Sequence, residues 1–185
     1  LSIAVMKMVR SDLAASGVMF SLDTETGFRD VVFVTAAYGL GENVVQGTVD
    51  PDEYYVHKTT FRTDHRFVLK RKLGAKQQRM VCGRRRMGSE IFNEPTPESL
   101  RQRYAVTDEE VMRLTDFALA IEGHYSALAG KATPMDIEWA RDGLDGELYI
   151  VQARPETVAS QKDSNELVRY RLKETGEALV RGRAV

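Results

Sequence analysis

The sequence predicts an α+β fold, a mostly antiparallel sheet with one long packed helix and a C-terminal β-hairpin. Three observations point to it. Short apolar runs alternate with turn residues through the first half; residues 107–130 carry an apolar stripe at helical spacing behind a capping signal; and residues 135–154 hold two alternating segments around a turn-rich linker. With 185 residues, 43% apolar and 29% charged, the chain has the composition of one soluble globular domain or a large part of one.

Strands are expected over residues 3–9, 17–21, 30–35, 53–58, 66–72 and 78–82. Runs such as Val31-Val32-Phe33-Val34 suit a half-buried pleated surface, and Asp23-Thr24-Glu25-Thr26-Gly27, Pro51-Asp52 and Gly74 punctuate them. Residues 83–104, with Arg84-Arg85-Arg86, Asn93, Pro95 and Pro97, show little periodicity and read as an exposed connection. Thr107-Asp108-Glu109-Glu110 then has the Thr-x-x-Glu pattern that satisfies amide donors at a helix start. Val111, Leu114, Ala118, Ile121, Tyr125 and Leu128 follow at spacings of three and four, and the helix ends near Gly130. Beyond Pro155 the chain turns polar over residues 160–166, and residues 168–185 read as a linker ending on a short β-like segment. The chain opens on Leu1, inside a run that reads as mid-strand, so it is expected to be a piece of a longer protein.

The hairpin carries the chemistry. In residues 135–140, Met135, Ile137 and Trp139 share one face and leave Asp136 and Glu138 on the other. In residues 147–154, strict alternation groups Tyr149, Val151 and Ala153 against Leu148, Ile150, Gln152 and Arg154. Asp136, Glu138 and Gln152 are hard oxygen donors, and adjacent strands can converge them as Mg²⁺ requires, since that ion takes one or two carboxylates and leaves its other positions to water and phosphate. Arg154 can offer a planar fork to a phosphoryl oxygen. The same alternation also describes an ordinary amphipathic strand whose solvent face carries two acids and an arginine partner.

Other features exclude more than they propose. Lys and Arg total 26 against 27 Asp and Glu, a net charge of −1, which argues against a general nucleic-acid surface. Cys82 is the single cysteine, so neither an intrachain disulfide nor a zinc ribbon can form, and a reducing, cytoplasmic compartment is expected. No apolar run is long enough for a membrane span, and no signal-peptide pattern opens the chain. Gly39-Leu40-Gly41-Glu42 permits close backbone approach but matches no phosphate-loop pattern and defaults to a structural turn. His57, His65 and His124 lack metal-ligand spacing, and Cys82 reads as a small core residue.

Several segments together resemble the phosphoenolpyruvate synthase (pyruvate, water dikinase) family. They are Met8-Val9-Arg10-Ser11-Asp12, Ser16-Gly17-Val18-Met19-Phe20, Gly39-Leu40-Gly41-Glu42-Asn43-Val44-Val45-Gln46-Gly47, Pro51-Asp52-Glu53-Tyr54-Tyr55-Val56-His57-Lys58, Asp136-Ile137-Glu138-Trp139 and Val151-Gln152-Ala153-Arg154-Pro155-Glu156-Thr157. The resemblance runs in order over nearly the whole chain. It implies an ATP-grasp nucleotide-binding domain, here its C-terminal part, over residues 1–158, with residues 159–185 leading toward a phosphohistidine domain. The implied reaction converts ATP, pyruvate and water to AMP, phosphoenolpyruvate and phosphate, a gluconeogenic step in the cytoplasm.

By that resemblance Glu138 and Gln152 match the magnesium pair, Asp136 the accompanying acid, and Arg154 the catalytic, phosphate-contacting arginine of Gln-x-Arg. Met8 and Val9 lie in the strand bordering the adenine, where Met6 replaces the family's usual glutamine and leaves nucleotide preference open. Pyruvate would be met only through a barrel domain outside these residues, and the phosphohistidine domain would act in cis; the Gly-Gly-x-Thr-x-His motif expected of it does not occur here. Neither nucleic acid nor membrane is an expected partner, and the full-length enzyme is a candidate homodimer. Related dikinases and antibiotic phosphotransferases share this half, and a non-catalytic nucleotide-binding module is the alternative of another class.

Overall fold

The computed structural model describes residues 3, 5–63, 65–85 and 88–161. Its strands are β1 (Ala15–Phe20), β2 (Val31–Tyr38), β3 (Asp52–His57), β4 (Lys70–Lys72), β5 (Gln78–Arg85), β6 (Gly88–Pro95), β7 (Met135–Arg141) and β8 (Leu148–Pro155). Its helices are α1 (Glu42–Val45), α2 (Lys58–Arg62), α3 (Glu98–Arg101) and α4 (Asp108–Ala129). Six strands form one sheet in the order β4-β3-β2-β1-β7-β8, every neighbour antiparallel, while β5 and β6 pair as a separate ribbon.

One face of the sheet is the core. Met19, Val32, Val34, Tyr54, Met135, Ile137 and Trp139 point into it and pack with Val111, Leu114 and Ala118 of α4, all essentially without solvent contact. At about 1.5–3 kcal/mol for each large side chain buried, this stripe is what holds α4 on the sheet. The helix starts as the sequence predicts. Thr107 accepts from the Glu110 N–H at 3.2 Å, Glu110 accepts from the Thr107 N–H at 2.7 Å, and Gly130 closes the other end with a φ of 64°. Leu128, assigned to the stripe from spacing, is exposed because α4 has run past the sheet by its last turn.

The opposite face is more open and carries a row of side chains across all six strands. The register places Arg154 opposite Asp136, Asp136 opposite Phe20, Phe20 opposite Phe33, Phe33 opposite Tyr55 and Tyr55 opposite Lys70. Ring centroids are 6.4 Å apart for Phe20–Phe33 and 4.7 Å for Phe33–Tyr55, and the Lys70 ammonium stands 5.1 Å over the Tyr55 ring. Gly17 in β1 has no room for a side chain, since a Cβ there would lie 1.9 Å from the Thr35 carbonyl oxygen.

Several expectations are corrected. The described residues among 3–9 form no strand: they pair with no neighbour in the sheet and are mostly exposed, so their apolar side chains meet no buried face. The strand expected over 66–72 shrinks to β4, and Lys58 opens α2 instead of closing β3. The connection expected over 83–104 contains the end of β5, all of β6, and α3. Cys82 is half-buried on β5 instead of in the core. Residues 168–185, expected to be a linker ending on a short β-like segment, lie outside the described residues.

Candidate functional site

The β7–β8 hairpin is built by its linker. Asp142 donates its N–H to the Glu147 carbonyl at 2.9 Å, and the Gly146 N–H returns to the Asp142 carbonyl at 2.9 Å with Gly146 at φ 78°. The N–H of Glu147 and the Tyr149 hydroxyl hold the Asp145 carboxyl below its ordinary range, at 2.9 and 2.8 Å. Arg141, at the end of β7, pairs with Glu110 at 2.7 Å and ties the hairpin to the start of α4.

The register then sets Glu138 directly across from Gln152 and Asp136 across from Arg154. Arg154 donates through Nε to the Asp136 Oδ2 at 2.9 Å, and its Nη2 lies 2.8 Å from the same oxygen. The Arg154 side chain is 64% exposed and that of Asp136 only 16%, so a half-buried acid holds a guanidinium that extends into solvent.

A β-bulge brings these four residues to one face. The ladder shifts between Glu138 and Trp139, which pairs with Ile150 and leaves Val151 as the extra residue. Leu148, Ile150 and Ala153 therefore pack on the core side. Strict alternation, which grouped Leu148 and Ile150 with Gln152 and Arg154, is corrected at this point. The bulge reverses the phase, so Gln152 and Arg154 leave the core side and join Asp136 and Glu138.

Met8 and Val9 are not beside this quartet. They run into Arg10, whose carbonyl accepts from the Gly143 N–H at 3.1 Å, and the Val9 carbonyl accepts from the Ser11 N–H at 2.9 Å. They thus stand at the turn end of the hairpin. Glu138 is four strand residues from Asp142, about 13 Å at the usual rise.

The remaining sequence candidates have structural duties. Gly39, at φ 91°, lets β5 approach in a parallel bridge, because a Cβ there would come 2.5 Å from the Met80 carbonyl oxygen. His57 caps α2 by accepting from the Thr60 N–H at 3.4 Å, the His65 ring contacts the Thr63 carbonyl at 2.9 Å, and the His124 ring meets Tyr125 edge-on. Sequence reasoning passed over Glu156. Its carboxylate accepts from the N–H groups of Val158, Ala159 and Ser160 at 2.7, 2.8 and 2.6 Å, and fixes the bend that follows β8. An acid two to four residues before a turn was the available signal.

Among the described residues, no group of three or more His, Cys, Asp and Glu is placed to hold a metal, and no helix is long and apolar enough to cross a membrane. Glu138 and Gln152, paired in register on adjacent strands, supply one carboxylate and one amide, donor types that a cation shared with a phosphate takes.

Residues 1–174 match the family described as pyruvate phosphate dikinase, AMP/ATP-binding domain. Phosphoenolpyruvate synthases from Synechocystis sp., Pseudomonas aeruginosa and Escherichia coli are 54%, 52% and 50% identical to it, each over 100% of this chain. The chain spans 22%, 23% and 22% of those relatives' lengths. Matched from residue 1 to residue 174, the chain belongs to the family of pyruvate phosphate dikinase AMP/ATP-binding domains.

Proposed function

We propose that these residues are the nucleotide-binding part of a phosphoenolpyruvate synthase of ATP-grasp architecture, which turns ATP, pyruvate and water into AMP, phosphoenolpyruvate and phosphate. The observation that carries the reading is the paired register of Glu138 with Gln152 and Asp136 with Arg154 on the open side of the hairpin. The identity to phosphoenolpyruvate synthases supports it.

In this reading Glu138 and Gln152 would hold Mg²⁺, which would offset the negative charge of the phosphates. Arg154 donates to an oxygen of the phosphoryl group that moves. Charge spreads over those oxygens as the bond to the leaving phosphate lengthens, so a fixed guanidinium stabilises the transition state more than the ground state. Asp136 aims that guanidinium through its Nε and Nη2. Backbone groups at Met8 and Val9 meet the purine edge, and the exposed Met8 side chain gives the ring a polarisable surface. The stretch of about 13 Å from Glu138 to Asp142, at the turn end where Met8 and Val9 stand, is a length that an extended nucleoside triphosphate spans.

Residues 1–158 form the nucleotide-binding unit, and residues 159–185 lead to a phosphohistidine domain that carries the phosphoryl group to pyruvate in a barrel domain. The whole enzyme works in the cytoplasm as a homodimer.

The test uses the full-length protein with ATP, Mg²⁺ and pyruvate, following AMP and phosphoenolpyruvate. Glu138→Gln preserves shape and removes one charge, so it is expected to abolish turnover with an unchanged circular dichroism spectrum; near-wild-type turnover overturns the metal assignment. AMP formation by the wild type that ignores pyruvate overturns the acceptor and favours a related dikinase or an antibiotic phosphotransferase. Nucleotide binding without any turnover makes the chain a binding module.

A further inference from the structure

The buried carboxylate of Asp12 is used by no step above. It lies in a 3₁₀ turn, Ser11–Leu13, that follows Met8, Val9 and Arg10, and its side chain is 1% exposed. Arg10 grips it with both prongs, Nε to Oδ1 and Nη2 to Oδ2, each at 2.8 Å. The Arg10 fork holds the carboxyl below the ordinary aspartate range despite its burial. The turn that carries this carboxylate packs against strand β5. The same turn meets the hairpin: the Arg10 carbonyl accepts from the Gly143 N–H at 3.1 Å, and a Cβ on Gly143 would lie 2.4 Å from the Leu13 Cβ.

Three segments thus meet at Asp12, namely the stretch ending in Met8-Val9, strand β5 and the β7–β8 linker. We infer that Asp12 is a positioning residue for nucleotide binding, which sets the distance and direction from Met8-Val9 to the Glu138–Gln152 pair. The inference rests on the function proposed above, which places the purine at one end of that distance and the phosphates at the other. A ligand that spans two fixed points loses affinity when either point drifts, because the ordering is then done at the expense of binding. Asp12 makes no contact with the reacting phosphoryl group, so its loss acts on binding before chemistry.

The test is steady-state kinetics of the full-length protein with ATP, Mg²⁺ and pyruvate. Asp12→Asn keeps the side-chain shape and removes the charge that holds Arg10. Its expected effect is an ATP KM raised roughly 10- to 100-fold, the scale of a small misplacement in a binding site, with kcat and the pyruvate KM within about threefold of wild type. Gly143→Ala reaches the same junction by crowding Leu13 and should shift the ATP KM in the same direction. Arg10→Lys, which keeps the charge without the fork, should fall between these variants and wild type. Leu114→Ala serves as the control, since it loosens the core beneath α4 and should lower the melting temperature without moving the ATP KM. If Asp12→Asn does not fold, Gly143→Ala and Arg10→Lys decide on the same readout. Wild-type ATP KM values in the folded variants, with only kcat or melting temperature reduced, overturn the positioning role alone. A wild-type protein with no affinity for ATP overturns the function and this inference together.

Discussion

Lys76 and Asp52 form an ion pair in which neither side chain has any solvent exposure. Asp52 also accepts the N–H groups of Gly74 at 2.9 Å and Ala105 at 2.7 Å, and the Lys76 ammonium reaches the Gly74 carbonyl at 2.9 Å. The pair therefore joins the start of β3, the approach to β5 and the approach to α4. Lys76 takes a φ of 40° to do so, a backbone conformation few side chains adopt. Lys76→Met should destabilise the protein by about 3–5 kcal/mol, because it strands a buried carboxylate. The double variant Lys76→Met with Asp52→Asn should recover part of that loss. Urea unfolding of the four proteins in this cycle checks both statements.

Glu156 makes the stability of the end of the domain depend on acid. Its burial alone would raise its pKa, yet the N–H groups of Ala159, Val158 and Ser160 outweigh that and leave it below the ordinary 4.5. Folding is then favoured by the charged form above pH 4.5, and that contribution is lost as pH falls through the lower folded value. The stability gap between wild type and Glu156→Gln should be constant near neutrality and close as the solution is acidified below pH 4.5. Chemical unfolding at a series of pH values reads this directly, and a gap that widens in acid would contradict it.

Arg154→Lys keeps a positive charge but loses the planar fork that Asp136 orients. Turnover of the full-length protein should fall about 100- to 1,000-fold, the usual cost of removing a donor aimed at developing charge. Stability should hardly change, since the side chain is largely in solvent. Comparing kcat with the melting temperature separates the two effects.

Thr107→Ala removes the hydroxyl that caps α4 and should cost about 0.5–2 kcal/mol. Thr107→Ser should restore most of it. Thermal unfolding of the two variants side by side measures the cap.

The parts of this fold that were legible in the sequence are those whose signals are local. The α4 start is written in Thr107 and Glu110 themselves, and its end in Gly130. The quartet was legible because Asp136 and Glu138 alternate with Met135, Ile137 and Trp139 on a strand with one buried face. On β8 alternation misled, since one extra residue at Val151 reverses the phase without changing composition. In the ribbon, β5 was legible from residue 78, but β6 escaped notice for a different reason. Ile91 and Phe92 are neighbours and both are substantially exposed, so β6 has no single buried face to imprint a period. Residues 3–9 have a strand's composition, but pairing depends on a neighbour far away in sequence, and the described part of this segment joins no strand of the sheet. The Lys76–Asp52 pair spans 24 positions and leaves no pattern at all.

Trp139 gives the molecule an optical property. It is the one tryptophan among the 185 residues, it is 1% exposed, and its indole N–H is buried without a partner among the described residues. An indole in such dry surroundings emits at short wavelength, and wetting moves the emission to the red. Because the ring follows Glu138 in β7 and lies under Gly17 of β1, the colour of that light reports whether the centre of the sheet is closed, at the strand that carries the proposed cation ligand.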